Sequence, residues 1–158
     1  FPKEGILFRD IMPLLQDPRA LREAVDRLVE YGTGKHVDVV MGAEARGFIL
    51  GAAVAYGLGA AFACARKPGK LPHATVSAAY DLEYGTDRLE VHTDAVKPGQ
   101  RVLVHDDLLA TGGTARAKIE LVEKLGGTVI GVAFIIELSA LRGRDKLEGY
   151  DVFSLITY

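Results

Sequence analysis

Two neighbouring carboxylates precede a loop of small and hydroxyl-bearing residues, and this part of the sequence is the best suited to chemistry. Asp106 and Asp107 follow the apolar run 102–104, and residues 110–114 have the sequence Ala-Thr-Gly-Gly-Thr. Glycines let backbone amides approach an anion closely, threonine hydroxyls add donors, and the N-terminus of a following helix adds positive potential. The pattern predicts a phosphate-binding turn beside a carboxylate pair.

The loop differs from two common phosphate-binding motifs. No lysine follows its glycines as in a Walker loop, and the glycine spacing is not that of the dinucleotide fingerprint. Taken singly, the two aspartates could cap a strand end and the two glycines could form an ordinary turn. Together they indicate more, because carboxylates held beside a phosphate repel each other unless a cation or sugar hydroxyls lie between them. The sequence therefore implies a divalent ion or a polyol.

Basic side chains occur at two other places that could meet an anion. Arg46 stands between a predicted strand and a predicted helix, where ligands of parallel sheets collect, so a functional role is favoured for it. Arg66, Lys67 and Lys70 lie in a loop and, by themselves, are typical of a solvated surface. Both sets of cations could meet an anion.

The elements that must position these residues alternate between strand and helix. Asp17 and Pro18 are typical of a helix start, and the apolar residues after them recur at helical spacing. This alternation favours an α/β fold with a mainly parallel sheet flanked by helices. The predicted strands are 37–41, 60–65, 101–105, 128–138 and 153–158, and the predicted helices after the first are 47–56 and 113–125.

A segment of different character separates the second and third of these strands. Residues 67–97 are interrupted by prolines and glycines, and residues 75–84 and 88–92 could pair as antiparallel strands. The turn between them is expected at Gly85-Thr86-Asp87. This segment is predicted to be a projecting hairpin that closes over bound substrate and shields it from water.

Length, charge and cysteine content restrict the class of protein. With 158 residues, one domain spanning 1–158 is expected. A net charge of −2 gives no overall positive field for nucleic acid or an anionic membrane. Cys64 has no partner for an intramolecular disulfide, which fits a reducing, cytoplasmic location. His36, His73 and His92 show no zinc-binding spacing.

The run from Asp106 to Thr114 resembles the phosphoribosyl-pyrophosphate signature of the type I phosphoribosyltransferases. Residues 1–10, 44–48 and 80–85 resemble, within that family, the adenine phosphoribosyltransferases, and the likeness extends over essentially the whole chain. The resemblance implies that adenine attacks the anomeric carbon of phosphoribosyl pyrophosphate to give AMP and pyrophosphate. It also implies Mg²⁺ held mainly through the substrate, and a homodimer.

The same resemblance assigns roles along the sugar and its leaving group. One set of side chains is implied at the ribose, another at its 5′-phosphate and a third at the pyrophosphate. The matching residues are Asp106 and Asp107 for the ribose hydroxyls and the nearby Mg²⁺; Ala110, Thr111, Gly112, Gly113 and Thr114 for the 5′-phosphate; and Arg46, Arg66, Lys67 and Lys70 for the pyrophosphate.

At the base, the resemblance implies a second group of residues. Phe8 would stack on the purine, while backbone groups near Leu7 and Arg9 would contact its edge. Glu83 would exchange a proton with the purine N7 if burial raises its pKa, and Tyr84 would cover the sugar. Taken alone, Glu83 would be an ordinary exposed carboxylate of a hairpin.

Several alternatives remain open from the sequence. A sensor that binds phosphoribosyl pyrophosphate and regulates transcription would need a DNA-binding unit, which is not visible. A phosphotransfer domain would leave the glycine-threonine turn without a role. Hypoxanthine, guanine, orotate or xanthine could replace adenine. His105, where the family usually has an apolar residue, is expected to be a tolerated strand residue, or else an imidazolium that offsets the charges of the aspartates.

Overall fold

The computed structural model describes residues 10–82 and 84–158. Seven strands, four α-helices and two short 3₁₀ segments lie in this part of the chain. The strands are β1 Val39–Ala43, β2 Ala61–Ala65, β3 Thr75–Leu82, β4 Gly85–His92, β5 Arg101–Leu109, β6 Thr128–Glu137 and β7 Val152–Thr157. The helices are α1 Met12–Gln16, α2 Pro18–Gly32, α3 Arg46–Leu58 and α4 Gly113–Lys124, and the 3₁₀ segments are Ser139–Leu141 and Gly143–Leu147.

Five strands form one sheet in the order β2-β1-β5-β6-β7, and every neighbouring pair in it is parallel. β3 and β4 form a separate antiparallel hairpin. The predicted α/β class, the mainly parallel sheet and the projecting hairpin are confirmed. No described helix is both long and apolar enough to cross a membrane.

The first long helix begins where the sequence indicates. The Asp17 carboxylate accepts hydrogen bonds from the backbone N–H groups of Arg19 and Ala20, at 2.9 and 3.3 Å. Pro18 occupies the first helical position, where no N–H is needed. The cap therefore fixes the start of α2, which packs its apolar side against the sheet.

The sheet lies between two apolar layers. Val40 and Leu103 point toward the layer of α2 and α3, whereas Met41 and Val104 point toward α4 and the hairpin. Successive side chains of a strand face opposite sides of the sheet, so a central strand covered on both sides is apolar at every position. All five residues of β1 are buried, as this arrangement requires.

β5 extends four residues beyond its predicted end at His105. Asp106 pairs with Phe134, and Leu109 pairs with Glu137, so the ladder with β6 continues through the carboxylate pair. The sequence prediction ended the strand just before the first charged residue, Asp106. The longer β6 supplies hydrogen-bonding partners that keep the chain extended, and the two carboxylates consequently lie on the strand itself.

The predicted turn of the hairpin is wrong. Gly85, Thr86 and Asp87 belong to β4, and Leu82 already pairs with Gly85. Gly85 has a φ of 111°, a conformation that favours glycine, and this lets the chain reverse more tightly than predicted. As a result, Asp87 lies opposite Tyr80 in the ladder.

Candidate active site

An open cavity of about 570 Å³ lies at the carboxyl ends of β1 and β5. The carboxylate pair and the glycine-threonine turn both line it, as predicted, and the end of β3 borders it from the hairpin side. Ligands of parallel sheets collect at this edge because loops and helix N-termini converge there. The polar and turn residues of the lining are Glu44, Arg46, Lys67, Tyr80, Asp81, Asp106, Asp107 and residues 110–114.

The first carboxylate of the pair is bound to a buried lysine. Lys118 lies on α4 with no exposed surface, and its Nζ is 2.6 Å from Asp106 Oδ2 and 2.9 Å from the His105 carbonyl oxygen. Burial alone would raise the pKa of Asp106, but the adjacent ammonium and its hydrogen bond hold that pKa below its usual range. Asp106 is therefore ionised at neutral pH.

The second carboxylate is paired with a more exposed cation. Arg46 Nε lies 2.8 Å from Asp107 Oδ2, and the arginine side chain is 46% exposed. Burial and the negative charge of Asp106 raise the pKa of Asp107 to about 6, and Arg46 opposes that rise. The two adjacent aspartates thus differ in their readiness to hold a proton.

The turn after β5 depends on glycine at its centre. Gly112 has a φ of 88° and caps the N-terminus of α4. A Cβ at this position would lie 2.5 Å from the carbonyl oxygen of Gly143, so both the backbone conformation and the space exclude a side chain. The free N–H groups of the first turn of α4 adjoin the cavity, which suits an anion.

The segment behind this turn is held by an ion pair between the half-exposed Arg144 and the buried Glu137. Arg144 Nε and Nη2 donate to the two carboxylate oxygens of Glu137, at 2.7 and 2.9 Å. The Ser154 hydroxyl donates to Glu137 as well, at 2.7 Å. Because Gly143 immediately precedes Arg144, these contacts fix the backbone against which the turn packs.

The basic residues predicted for pyrophosphate are distributed unevenly. Arg46 and Lys67 line the cavity, whereas Arg66 and Lys70 lie outside its lining. Lys67 Nζ donates to the Tyr80 hydroxyl at 2.9 Å and to the Asp87 carboxylate, which ties the end of β2 to the hairpin.

Glu44 organises the loop that carries Arg46. Its Oε1 accepts from the backbone N–H of Lys67 at 2.7 Å and from Arg66 Nε at 3.3 Å. The peptide bond between Glu44 and Ala45 is cis. Arg66 therefore acts on the loop of Glu44 in this structure rather than on the cavity.

The residues predicted to contact the base are not placed by the structure. Leu7, Phe8, Arg9 and Glu83 lie outside the described residues. Tyr84 is described, lies at the tip of the hairpin and is 86% exposed. Of the predicted site residues, the described cavity is therefore lined only by ones assigned to the ribose, its 5′-phosphate and the pyrophosphate.

His105 is not a counter-charge for the aspartates. Its Nδ1 lies 3.0 Å from the carbonyl oxygen of Ala133, which can only accept, so the proton sits on Nδ1. Burial lowers the pKa of His105 to about 4. The imidazole is consequently neutral at physiological pH, and the alternative of an imidazolium that offsets the carboxylates is wrong.

The contact that sequence reasoning missed is the one between Lys118 and Asp106. A signal was present, because Lys118 falls on the apolar stripe of α4 with Ala115, Ile119 and Val122, where a lysine is unexpected. The spacing of twelve residues from Asp106 gave no sign of contact. Only the packing of α4 on β5 brings the two side chains together.

Comparison with known proteins gives one consistent family. A model of the phosphoribosyl transferase domain matches residues 14–157. The adenine phosphoribosyltransferase of Clostridium perfringens is 59% identical over 158 residues, which is all of this chain and 92% of that protein.

Solved structures agree with this result. The adenine phosphoribosyltransferase of Thermoanaerobacter pseudethanolicus superposes with a TM-score of 0.96 at 53% identity, over 99% of this chain and 91% of that one. The adenine phosphoribosyltransferase of Saccharomyces cerevisiae was solved with an imino-altritol bisphosphate and adenine. It superposes with a TM-score of 0.92 at 40% identity, over 98% of this chain and 90% of that one.

We expect Gly112→Ala to weaken the binding of ribose 5-phosphate by at least about tenfold. An alanine here must displace the Gly143 carbonyl, and with it the turn. Gly99→Ala is the matched control, since Gly99 has a φ of 83° but open space around its Cβ position. Both variants carry a backbone strain of about 1–2 kcal/mol. Titration calorimetry with ribose 5-phosphate should separate them, and equal affinities would contradict the role of the turn.

We expect Asp107→Asn to stabilise the protein increasingly as the pH rises from 4 to 7. The raised pKa means that the native state holds this proton more tightly than the unfolded chain, so its stabilising contribution is present at low pH and is lost as the pH rises through about 6. Asparagine does not ionise, so at pH 7 the free energy of unfolding of Asp107→Asn should exceed that of the parent by about 1–3 kcal/mol.

Denaturant unfolding at several pH values measures this difference. The control is Asp145→Asn, which removes an exposed carboxylate paired with Arg142 and should change the free energy of unfolding by less than about 0.5 kcal/mol at pH 7. A difference between Asp107→Asn and the parent that does not grow with pH would refute the assignment.

Proposed function

The chain belongs to the phosphoribosyltransferase family, and we propose that it is an adenine phosphoribosyltransferase, which joins adenine to the ribose of phosphoribosyl pyrophosphate. The N9 atom of adenine forms a bond to the anomeric carbon as the bond to pyrophosphate breaks, and AMP and pyrophosphate are released. The observation that carries this proposal is the meeting of the carboxylate pair and the glycine-threonine turn in one cavity. The high identity to adenine phosphoribosyltransferases over the whole chain supports the choice of base.

The cavity is suited to hold the ribose at two points. The turn at 110–114 offers backbone amides, the hydroxyls of Thr111 and Thr114, and the N-terminus of α4 for the 5′-phosphate. Asp106 and Asp107 lie next to this turn and accept from the ribose hydroxyls. Positive charge develops on the ribose ring as the bond to pyrophosphate breaks, and a neighbouring carboxylate stabilises that charge.

The pyrophosphate end is assigned to the cations of the cavity. Arg46 and Lys67 line it directly, and Arg66 and Lys70 extend the positive charge along the adjoining loop. Arg46 is half exposed and its Nε is bound to Asp107, and an entering pyrophosphate oxygen could take the place of that carboxylate. Such an exchange would leave Asp107 available to the ribose at the moment when substrate enters.

Mg²⁺ fits the donors that the site offers. Carboxylate oxygens suit this ion, which proteins commonly bind through one or two carboxylates together with substrate phosphates. No group of three His, Cys, Asp or Glu side chains in the described residues could hold a metal without substrate. Asp106 and Asp107 would support the ion through the ribose hydroxyls, and the ion would neutralise charge on the leaving pyrophosphate.

The purine is assigned to residues at the chain start and the hairpin tip. Phe8 would stack on adenine, Leu7 and Arg9 would present backbone groups to its edge, and Glu83 would exchange a proton with N7. These assignments are supported by the resemblance of residues 1–10 and 80–85 to the family.

The hairpin of β3 and β4 acts as a lid in this scheme. It adjoins the cavity through Tyr80 and Asp81, and Tyr84 stands at its tip. Lys67 joins the hairpin to the sheet through Tyr80 and Asp87, so a pyrophosphate that binds Lys67 acts on the hairpin as well. Closure excludes water from the reacting ribose, and reopening releases the product.

The enzyme is assigned to the cytoplasm as a homodimer. Ile49, Ala52 and Tyr56 form an exposed, uncharged stripe on α3, and Tyr56 is 90% exposed. No charged residue follows Arg46 in this helix. Exposed apolar stripes of this kind mark interaction surfaces, and a second copy of the chain can cover the stripe by twofold symmetry. The unpaired Cys64 fits a reducing compartment.

We expect the purified protein to form AMP from adenine, phosphoribosyl pyrophosphate and Mg²⁺. Hypoxanthine, guanine, xanthine and orotate, tested in turn, should give at most about 1% of that rate, because a site that hydrogen-bonds one base leaves polar groups unpaired with another. Chelation of Mg²⁺ by EDTA should abolish product, and excess Mg²⁺ should restore it. Chromatographic detection of each nucleotide decides the outcome. Product from another base would correct the specificity, and no product from any base would favour the sensor.

We expect Tyr56→Glu to convert a dimer into a monomer, because it introduces a charge at the most exposed residue of the α3 stripe. Light scattering coupled to size exclusion measures the mass directly. Leu141→Glu is the control, since Leu141 is also an exposed apolar residue but lies in the first 3₁₀ segment. A monomeric parent protein, or a variant of unchanged mass, would refute this interface.

A further inference from the structure

Lys118 is a buried charge whose position packing does not explain. Its side chain has no exposed surface, and it lies on a face of α4 that is otherwise apolar. Removing an ammonium from water is costly, and an apolar side chain of similar size fills such a space at lower cost. The lysine is therefore expected to have a purpose beyond filling the core.

The contacts of Lys118 restrain one carboxylate of the active site at a fixed orientation. Asp106 Oδ2 accepts from Lys118 Nζ at 2.6 Å, and Asp106 Oδ1 accepts from the backbone N–H of Asp107 at 2.9 Å. Gly47 lies against the same carboxylate, since a Cβ there would be 2.9 Å from Oδ1. Both oxygens of Asp106 are thus engaged, and there is little room for a second rotamer.

The two cations at the aspartate pair differ in their freedom to move. Arg46 reaches Asp107 from the cavity side with a half-exposed side chain, whereas Lys118 reaches Asp106 from within the core. Lys118 also donates to the His105 carbonyl, which ties the ammonium to the strand that carries both aspartates. An anion that enters the cavity can compete for Arg46, but it cannot reach Lys118.

We propose that Lys118 is a positioning residue for phosphoribosyl transfer, a permanent buried counter-ion that holds Asp106 in the orientation that receives the ribose. This inference rests on the proposed function. Lys118 acts through Asp106 and does not touch the substrate. When Arg46 turns to pyrophosphate, Lys118 remains as the cation that limits repulsion between the two aspartates.

The test compares Lys118→Met with Lys124→Met. Lys124 lies on the same helix with a partly exposed side chain, so its replacement removes the same charge without touching the aspartates. For Lys118→Met we expect the KM for phosphoribosyl pyrophosphate to rise, so that kcat/KM for this substrate falls about 10–100-fold, a loss similar to that seen when a residue that orients a metal ligand is removed. The KM for adenine should change less than about twofold, and Lys124→Met should match the parent in both.

The different effects expected on the KM values of the two substrates distinguish a positioning role from a simple loss of folded enzyme. A smaller folded fraction lowers kcat and leaves both KM values unchanged. Lys118→Gln provides a second variant should Lys118→Met not fold, because its amide can still donate to the His105 carbonyl or to Asp106. Its loss of kcat/KM for phosphoribosyl pyrophosphate should be smaller but still measurable.

The outcomes distinguish this inference from the proposed function. A parent protein that makes no AMP would overturn the proposed function. An active parent with a folded Lys118→Met or Lys118→Gln variant of unchanged kcat/KM would overturn the positioning role and leave the function intact. A variant in which only kcat falls, with the KM for each substrate unchanged, would also overturn the positioning role.

Discussion

Two carboxylates held side by side on a buried strand are the constraint on which this structure depends. Asp106 and Asp107 would repel each other in a medium of low polarity, and each is bound by a cation from a different helix. Lys118 comes from α4 and Arg46 comes from the start of α3. The two helices lie on opposite faces of the sheet, so the sheet must place β5 between them before the pair can be accommodated.

This arrangement connects stability to chemistry. In the proposed reaction the site holds negative charge where a ribose cation develops, and it does so at a cost, because burial and the charge of Asp106 raise the pKa of Asp107 to about 6 while Asp106 stays ionised. A site of this kind is less stable than an apolar one of the same shape, as is common where function requires buried charge. In the proposed function the half-exposed Arg46 would let Asp107 respond to an entering anion.

The turn proposed to receive the phosphate relies on contacts outside itself. Gly112 lies so close to the carbonyl of Gly143 that no side chain fits between the two segments. The contacts of Glu137 with Arg144 and Ser154 then anchor that second segment to β6 and β7. A loop that must bind an anion with backbone amides thereby gains the rigidity of the sheet, and the amides are oriented before the ligand arrives.

The sequence by itself determined the class of fold, the position of the carboxylate pair and the phosphate turn, because apolar periodicity, a helix cap and glycine pairs act over a few residues. It placed the end of β5 wrongly, because pairing with β6 decides where that strand ends. It also placed the hairpin turn wrongly, because the φ of Gly85 decides where the chain reverses. Only the tertiary structure decided that Lys118 faces Asp106, that His105 is neutral and that Lys67 joins the hairpin. Such contacts and pKa values depend on burial and on neighbours remote in the chain, and residue spacing carries no record of either.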